Sequence, residues 1–406
     1  MEQRGDIAVK NQLLHTPEGV RDIYNEECER KIILEERLLT VLKSYGYHPI
    51  QTPTFEYFDI FSKEKGSVQS QAMFKFFDRG NNTLVLRPDI TPAIARCVSK
   101  YDREEEMPIR LCYMGNTFVN TTPYKGKLQE VTQIGAELVN DDSSAADAEI
   151  IATVIDCFNE IGISDFQIEI GQIDYFKGLV VESGISEDEE DQIKEYIHIK
   201  NFFGLEEYVD ALDISDSLKK AFVAFDSLFG GISMLDKAEG YVSNETSLEA
   251  VKRLRRVYAA LECYGYQDHI SFDLGMLDGY NYYTGIIFRG YTYGTGDAVV
   301  KGGRYNNLLK QFGKDAPAIG AVIIVDQLML ALERQNLLIK EKLGGTLVVY
   351  PAEYREKAHH LAAKLRGSGK IVQLIRKSSG RELAQYQEYA DRIGADDVIL
   401  VQADTI

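Results

Sequence analysis

An α+β fold is predicted: an antiparallel sheet flanked by helices, with a helical insert and a small α/β unit at the C-terminal end. Three observations predict it. Residues 109–118 and 131–138 are strand-like runs joined by a polar loop of Asn, Thr, Pro, Lys and Gly, the pattern of a long hairpin. Residues 184–262 keep helical spacing, with acidic and basic side chains interleaved. Residues 345–401 alternate short apolar runs with helical stretches, a β-α-β-α-β order that asks for a small parallel sheet.

Composition bounds the rest. A chain of 406 residues has room for about two or three domains. With 45% hydrophobic and 27% charged residues it falls in the soluble globular class. A net charge of −18 and a pI near 4.9 oppose nucleic acid as a partner, because phosphates call for a basic face. Cys28, Cys97, Cys112, Cys157 and Cys263 are scattered, with no C-x-x-C pair, so neither disulfides nor a metal site is expected. They read as isolated thiols of a reducing compartment. The sequence shows no signal peptide and no apolar run long enough to span a bilayer, so a cytoplasmic location is expected.

In chain order, residues 26–45 place Ile32, Ile33, Leu34, Leu38, Leu39, Val41, Leu42 and Tyr45 at helical spacing, and Gly46 ends that helix. HPIQTPTFE follows as a strand carrying Pro53. Phe74, Phe76, Leu84 and Leu86 flank Asp78-Arg79-Gly80-Asn81-Asn82, a hairpin signal. Arg87-Pro88-Asp89 then opens a helix through Thr91-Pro92. Asp89 and Thr91 suit helix capping, and the same groups suit a cationic ligand. Gln133 and Glu137 lie four apart in the returning run of the long hairpin, so they share one face of the strand. An amide and a carboxylate on one face can hold an ammonium or a ring N–H. Residues 142–161 read as helix, 165–171 as a half-buried strand, and SEDEED at 186–191 as a helix start. Tyr282 and Tyr283 on a strand send one phenol inward and one outward, as core aromatics or as walls of a pocket. Gly302-Gly303 permit close backbone approach. A linker near 335–344 separates a domain at 1–334 from one at 345–406.

Phe118, Pro123, Lys125-Gly126 and Gln133-Ile134-Gly135 ahead of Glu137 resemble the second signature motif of class II aminoacyl-tRNA synthetases, and among them the histidyl-tRNA synthetases. LLHTPEGVRD at 13–22 resembles that family's opening. The first helix and its Pro-bearing strand are similar to the first class II motif, which builds the family's dimer interface. Leu277-Asp278-Gly279-Tyr280-Asn281-Tyr282-Tyr283 and GGRYNNLL at 302–309 are similar to its histidine-specific elements. The resemblance implies a class II synthetase-like sheet and a C-terminal unit that resembles the anticodon-binding domain, truncated after its third strand. It also implies roles. Asp89, standing for the Glu of R-P-E-x-T, would take the ammonium of histidine. Thr91, Gln133 and Glu137 would serve the ammonium and imidazole, and Tyr282 and Tyr283 would wall the pocket.

The departures fall on the nucleotide. Where the family carries three arginines, this chain has Val119, Asp278 and Gln327. Losing one charge-assisted bond to phosphate removes about 1.5–3 kcal/mol. A carboxylate in place of a guanidinium turns roughly 4 kcal/mol of attraction, at 4 Å and an effective dielectric of 20, into repulsion. The resemblance thus implies a degenerate ATP site and a cavity stripped of guanidinium groups. Asp278 also leaves the carboxylate of a bound histidine without its expected partner. A synthetase-like framework with a broken ATP site resembles the regulatory subunits of ATP phosphoribosyltransferase. That likeness implies a non-catalytic chain without a cofactor, a homodimer within a hetero-oligomer. It implies the short-form catalytic subunit as partner and L-histidine as feedback effector in the first step of histidine biosynthesis. The alternative is a histidine–tRNA ligase with a divergent ATP site.

Overall fold

Alternating apolar residues build the main sheet, and its register fixes which side chains meet. The computed structural model describes residues 14–62, 68–121, 128–277, 283–337 and 344–405. The chain divides into two compact units, Met1–Leu338 and Ile339–Ile406. The strands of the first are β1 (His48–Pro49), β2 (Phe55–Tyr57), β3 (Lys75–Phe77), β4 (Thr83–Leu86), β5 (Ile109–Phe118), β6 (Glu130–Val139), β7 (Phe166–Gln172), β8 (Phe229–Gly230), β9 (Ile270–Asp273), β10 (Ile286–Thr292), β11 (Val300–Arg304) and β12 (Ala318–Ile324). Among the described residues nine of them form one sheet in the order β1-β5-β6-β12-β11-β10-β7-β9-β8. Its middle is antiparallel, as the sequence predicts, while β1 joins β5 and β9 joins β7 in parallel.

The long hairpin is β5 and β6, with Tyr113 opposite Gly135 and Leu111 opposite Glu137. Its tip, with Pro123 and Lys125-Gly126, lies outside the described residues. HPIQTPTFE does not form one strand. It splits into β1 and β2, because Pro53 has no N–H to give a ladder, and the chain leaves the main sheet there. β2 starts a second sheet, in the order β2-β4-β3.

The helix Thr91–Tyr101 starts with Pro92 in its first turn, where a missing N–H costs nothing. It covers one face of the main sheet, packing Ile90, Ile94 and Val98 against Tyr113, Val139 and Tyr305. Its start is anchored from behind. Arg87, buried, donates through Nε to the carbonyl of Asn116 at 2.8 Å and through Nη1 to that of Thr52 at 2.9 Å. The helix Ser144–Glu160 serves the opposite face. From β11 Arg304, 1% exposed, donates to Asp147 Oδ1 through Nε at 2.9 Å and Nη2 at 2.6 Å, and Arg253 Nε donates to Asp147 Oδ2 at 2.8 Å. The stretch 184–262 is largely helical, with Glu187–His198, Phe202–Asp210, Asp216–Val223, Met234–Gly240 and Glu245–Tyr264, but Phe229–Gly230 within it departs from the expectation and pairs as β8 with β9 at the edge of the main sheet. SEDEED is a helix start, since Ser186 and Glu189 close a capping box.

The second unit has β13 (Gly345–Tyr350), β14 (Ile371–Arg376) and β15 (Asp397–Leu400), parallel in the order β14-β13-β15. One face of β13 packs Val348 on Ala358 and Ala362; the other packs Leu347 and Val349 on Tyr386 and Ala390. Its two helices therefore lie on opposite faces, as right-handed crossovers from a central first strand require. Among the described residues no helix is long and apolar enough to cross a membrane.

Asp147 balances two arginines with no exposed surface of its own. Removing one partner from a buried ion cluster costs roughly 3–5 kcal/mol. Asp147→Ala is expected to lose about that much stability in chemical denaturation; a loss under ~1 kcal/mol would contradict the role of the cluster.

Candidate functional site

Period-two alternation puts residues 133, 135 and 137 of β6 on the face covered by the helix Thr91–Tyr101. Across the ladders Glu137 stands opposite Gly320, Gly320 opposite Gly303, and Gly303 opposite Ile287. Two glycines in one row leave the sheet without side chains there, and a cavity of about 310 Å³ opens over them. The close approach explains the residue type. A Cβ at Gly320 would overlap Glu137 Oε2, and one at Gly303 would lie 2.6 Å from Tyr283 Cδ1.

Glu137 is the centre of the acidic end and only 1% exposed. Thr91 Oγ1 donates to its Oε1 at 2.6 Å, and the Tyr305 hydroxyl donates to its Oε2. Burial pushes the Glu137 carboxyl up to about 8; the two hydroxyl donors pull it down, and Asp89 adds a smaller upward push. Asp89 keeps some surface toward the cavity. Its Oδ1 accepts the N–H groups of Ile90 at 2.6 Å and Thr91 at 3.3 Å, so it caps the helix and lines the cavity at once. Burial raises its pKa also, against the pull of those two amides. The phenols of Tyr113 and Tyr283 are likewise pushed up, by burial first and by the two carboxyl groups second. Gln133 lines the same wall, and its Oε1 is buried without a hydrogen-bond partner. An unmet buried carbonyl costs about 1–3 kcal/mol, which a ligand N–H arriving there would recover.

Of the residues singled out by sequence, Asp89, Thr91, Gln133, Glu137 and Tyr283 converge on this cavity. Tyr282 and Asp278 lie outside the described residues. Val119 and Gln327 are not among its lining residues. Val119 follows β5 and donates its N–H to the carbonyl of Gln129 at 2.8 Å; Gln327 belongs to the first turn of the helix Val325–Arg334. Sequence reading missed Tyr113 and Tyr305, although both obey the alternation that found Glu137. One expectation is corrected. The cavity is not stripped of guanidinium groups: Arg289 lines it, together with Lys301. Position 289 lies downstream of the matched positions 277–283, and the pairing of β10 with β11 sets it beside Lys301.

The profile of the histidyl-tRNA synthetase family matches residues 19–328. An ATP phosphoribosyltransferase regulatory subunit of Acetivibrio thermocellus is 39% identical over 96% of this chain and 93% of its own length. The chain belongs to the family of ATP phosphoribosyltransferase regulatory subunits. A crystal structure from Bacillus halodurans, described as an ATP phosphoribosyltransferase regulatory subunit/histidyl-tRNA synthetase, superposes with a TM-score of 0.85. It is 30% identical to this family member and covers 96% of this chain and 99% of its own. The histidyl-tRNA synthetase of Nostoc sp. shares the fold at a TM-score of 0.78 and 22% identity, over 94% of this chain and 89% of its own. The class II synthetase-like architecture is thus the family's.

Because the carboxyl of Glu137 ordinarily titrates near 4.5 and here near 8, the folded chain holds a proton that the unfolded chain has released between those values. The group's contribution is full below about 4.5 and is lost as pH rises to about 8. Wild type should therefore lose at least ~2 kcal/mol relative to Glu137→Gln between pH 5 and pH 9, read as the difference in thermal midpoints. A pH-independent difference would contradict a buried, neutral Glu137.

Proposed function

We propose that this chain is the non-catalytic regulatory subunit of an ATP phosphoribosyltransferase, and that its cavity takes L-histidine as the feedback effector. Family membership supplies the first part of the reading. The observation that carries the second is the buried Gln133 Oε1 beside Glu137, Thr91 and Asp89: acceptors enclosed together, one of them unmet, suit an ammonium and a ring N–H. Tyr113 and Tyr283 supply aromatic wall. The partner is the short-form catalytic subunit, whose activity depends on this chain, within a cytoplasmic hetero-oligomer built on a homodimer. The residues at the three arginine positions of the resemblance, Val119, Asp278 and Gln327, support a chain that does no adenylate chemistry.

Histidine can regulate only by binding one arrangement of the complex better than another. A tenfold difference corresponds to about 1.4 kcal/mol, enough to shift a balanced equilibrium decisively. Two measurements test the reading. Calorimetric titration should give saturable binding of L-histidine and none of ATP. Mixing with a short-form catalytic subunit should raise its activity at least tenfold, and histidine should reverse that rise. Histidine-dependent ATP–pyrophosphate exchange by the purified chain would assign it to the tRNA ligases instead.

A further inference from the structure

Register gives the cavity a second end. One row of paired residues crosses six strands: Tyr113, Gly135, Val322, Lys301, Arg289 and Glu169, on β5, β6, β12, β11, β10 and β7. Directly paired residues project from the same face of a sheet. Arg289 and Lys301 therefore stand side by side on the face that carries Glu137, and both line its cavity. Three strand spacings, roughly 14 Å between backbones, separate β10 from β6, and the glycines at 303 and 320 leave the space between them open. Acceptors crowd one end and cations the other. Arg289 is near enough to Tyr283 and Glu169 to pull the titration of both downward. Glu169, its cross-strand neighbour, gives the side chain an opposite charge to stand beside.

We propose that Arg289, assisted by Lys301, is the anion end of the cavity and reads the carboxylate of the amino acid bound there. The proposal rests on the reading of this cavity as a histidine site. It also answers a deficit in the sequence: the position where the resemblance places an arginine for that carboxylate holds Asp278. A guanidinium on β10 supplies the charge from a different strand, and its planar fork matches the two carboxylate oxygens. A zwitterion lies along the field of such a cavity; an amine without a carboxylate uses only the acceptor end.

The test compares L-histidine with histamine, the same molecule lacking the carboxylate, by calorimetry on the full-length chain. Wild type should bind histidine at least tenfold more tightly than histamine. Arg289→Gln should weaken histidine by roughly ten- to a hundredfold and leave histamine within twofold of its wild-type affinity. Arg289→Lys should recover part of the loss, because it restores the charge without the fork. Lys301→Gln, at an exposed position where folding is not at stake, should give a smaller loss confined to histidine. Histidine affinity unchanged in Arg289→Gln overturns the proposal, as does an equal loss of both ligands in a variant with a wild-type thermal midpoint. Wild type binding neither molecule overturns the histidine reading itself, and this inference with it.

Discussion

A carboxyl group buried in the middle of a strand sets the terms for the architecture around it. Glu137 has almost no contact with bulk water, so its oxygens must be met from within the protein. The hydroxyls that meet them come from Thr91 at the start of a helix and Tyr305 just after β11. Each arrangement has its own support. Thr91 is in place because Asp89 holds the first amides of the helix and Arg87 ties the preceding segment to the carbonyls of Thr52 and Asn116. Tyr305 is in place because Arg304, its neighbour, is fixed to Asp147 on the other face of the sheet. A polar network of this kind is stable only when every member is present.

The cavity follows from that arrangement. Bringing Glu137 close to β12 requires glycine at 320, and seating Tyr283 over β11 requires glycine at 303. The floor is therefore bare backbone, while the walls carry acceptors toward the helix Thr91–Tyr101 and cations toward β10 and β11. Such a site favours a small, bipolar molecule. It lies on the central strands of the first unit, so a ligand there touches the sheet, the covering helix and the loop after β11 together.

Much of this was legible in the residues. Alternation alone placed Gln133 on the face of Glu137, and the Asp-Ile-Thr-Pro run announced the helix start where Asp89 and Thr91 line the cavity. The fold class followed from the same patterns, and the motif resemblance supplied the class II architecture. What could not be read was pairing between distant strands. Arg289 meets Lys301 only through the β10–β11 register, and Glu137 meets Gly320 only through the β6–β12 register. Neither pair is marked by local spacing. The break between β1 and β2 was signalled by Pro53, which the expectation of a single strand kept inside it. Arg289 stands six residues beyond Tyr283, and nothing in that spacing shows that it turns toward the same cavity.

The bare floor has a consequence for how the protein can change. The volume over β11 and β12 exists because two Cβ atoms are absent, and the neighbouring strands crowd the same places: a Cβ at Gly303 would come within 2.8 Å of the Ile286 carbonyl oxygen, and one at Gly320 within 3.0 Å of that of Ala136. One methyl group at either place would push against backbone as well as against Tyr283 or Glu137. Cavity and sheet register are thus fixed by the same two positions, so a substitution that closed the chamber would also move the strands beneath it.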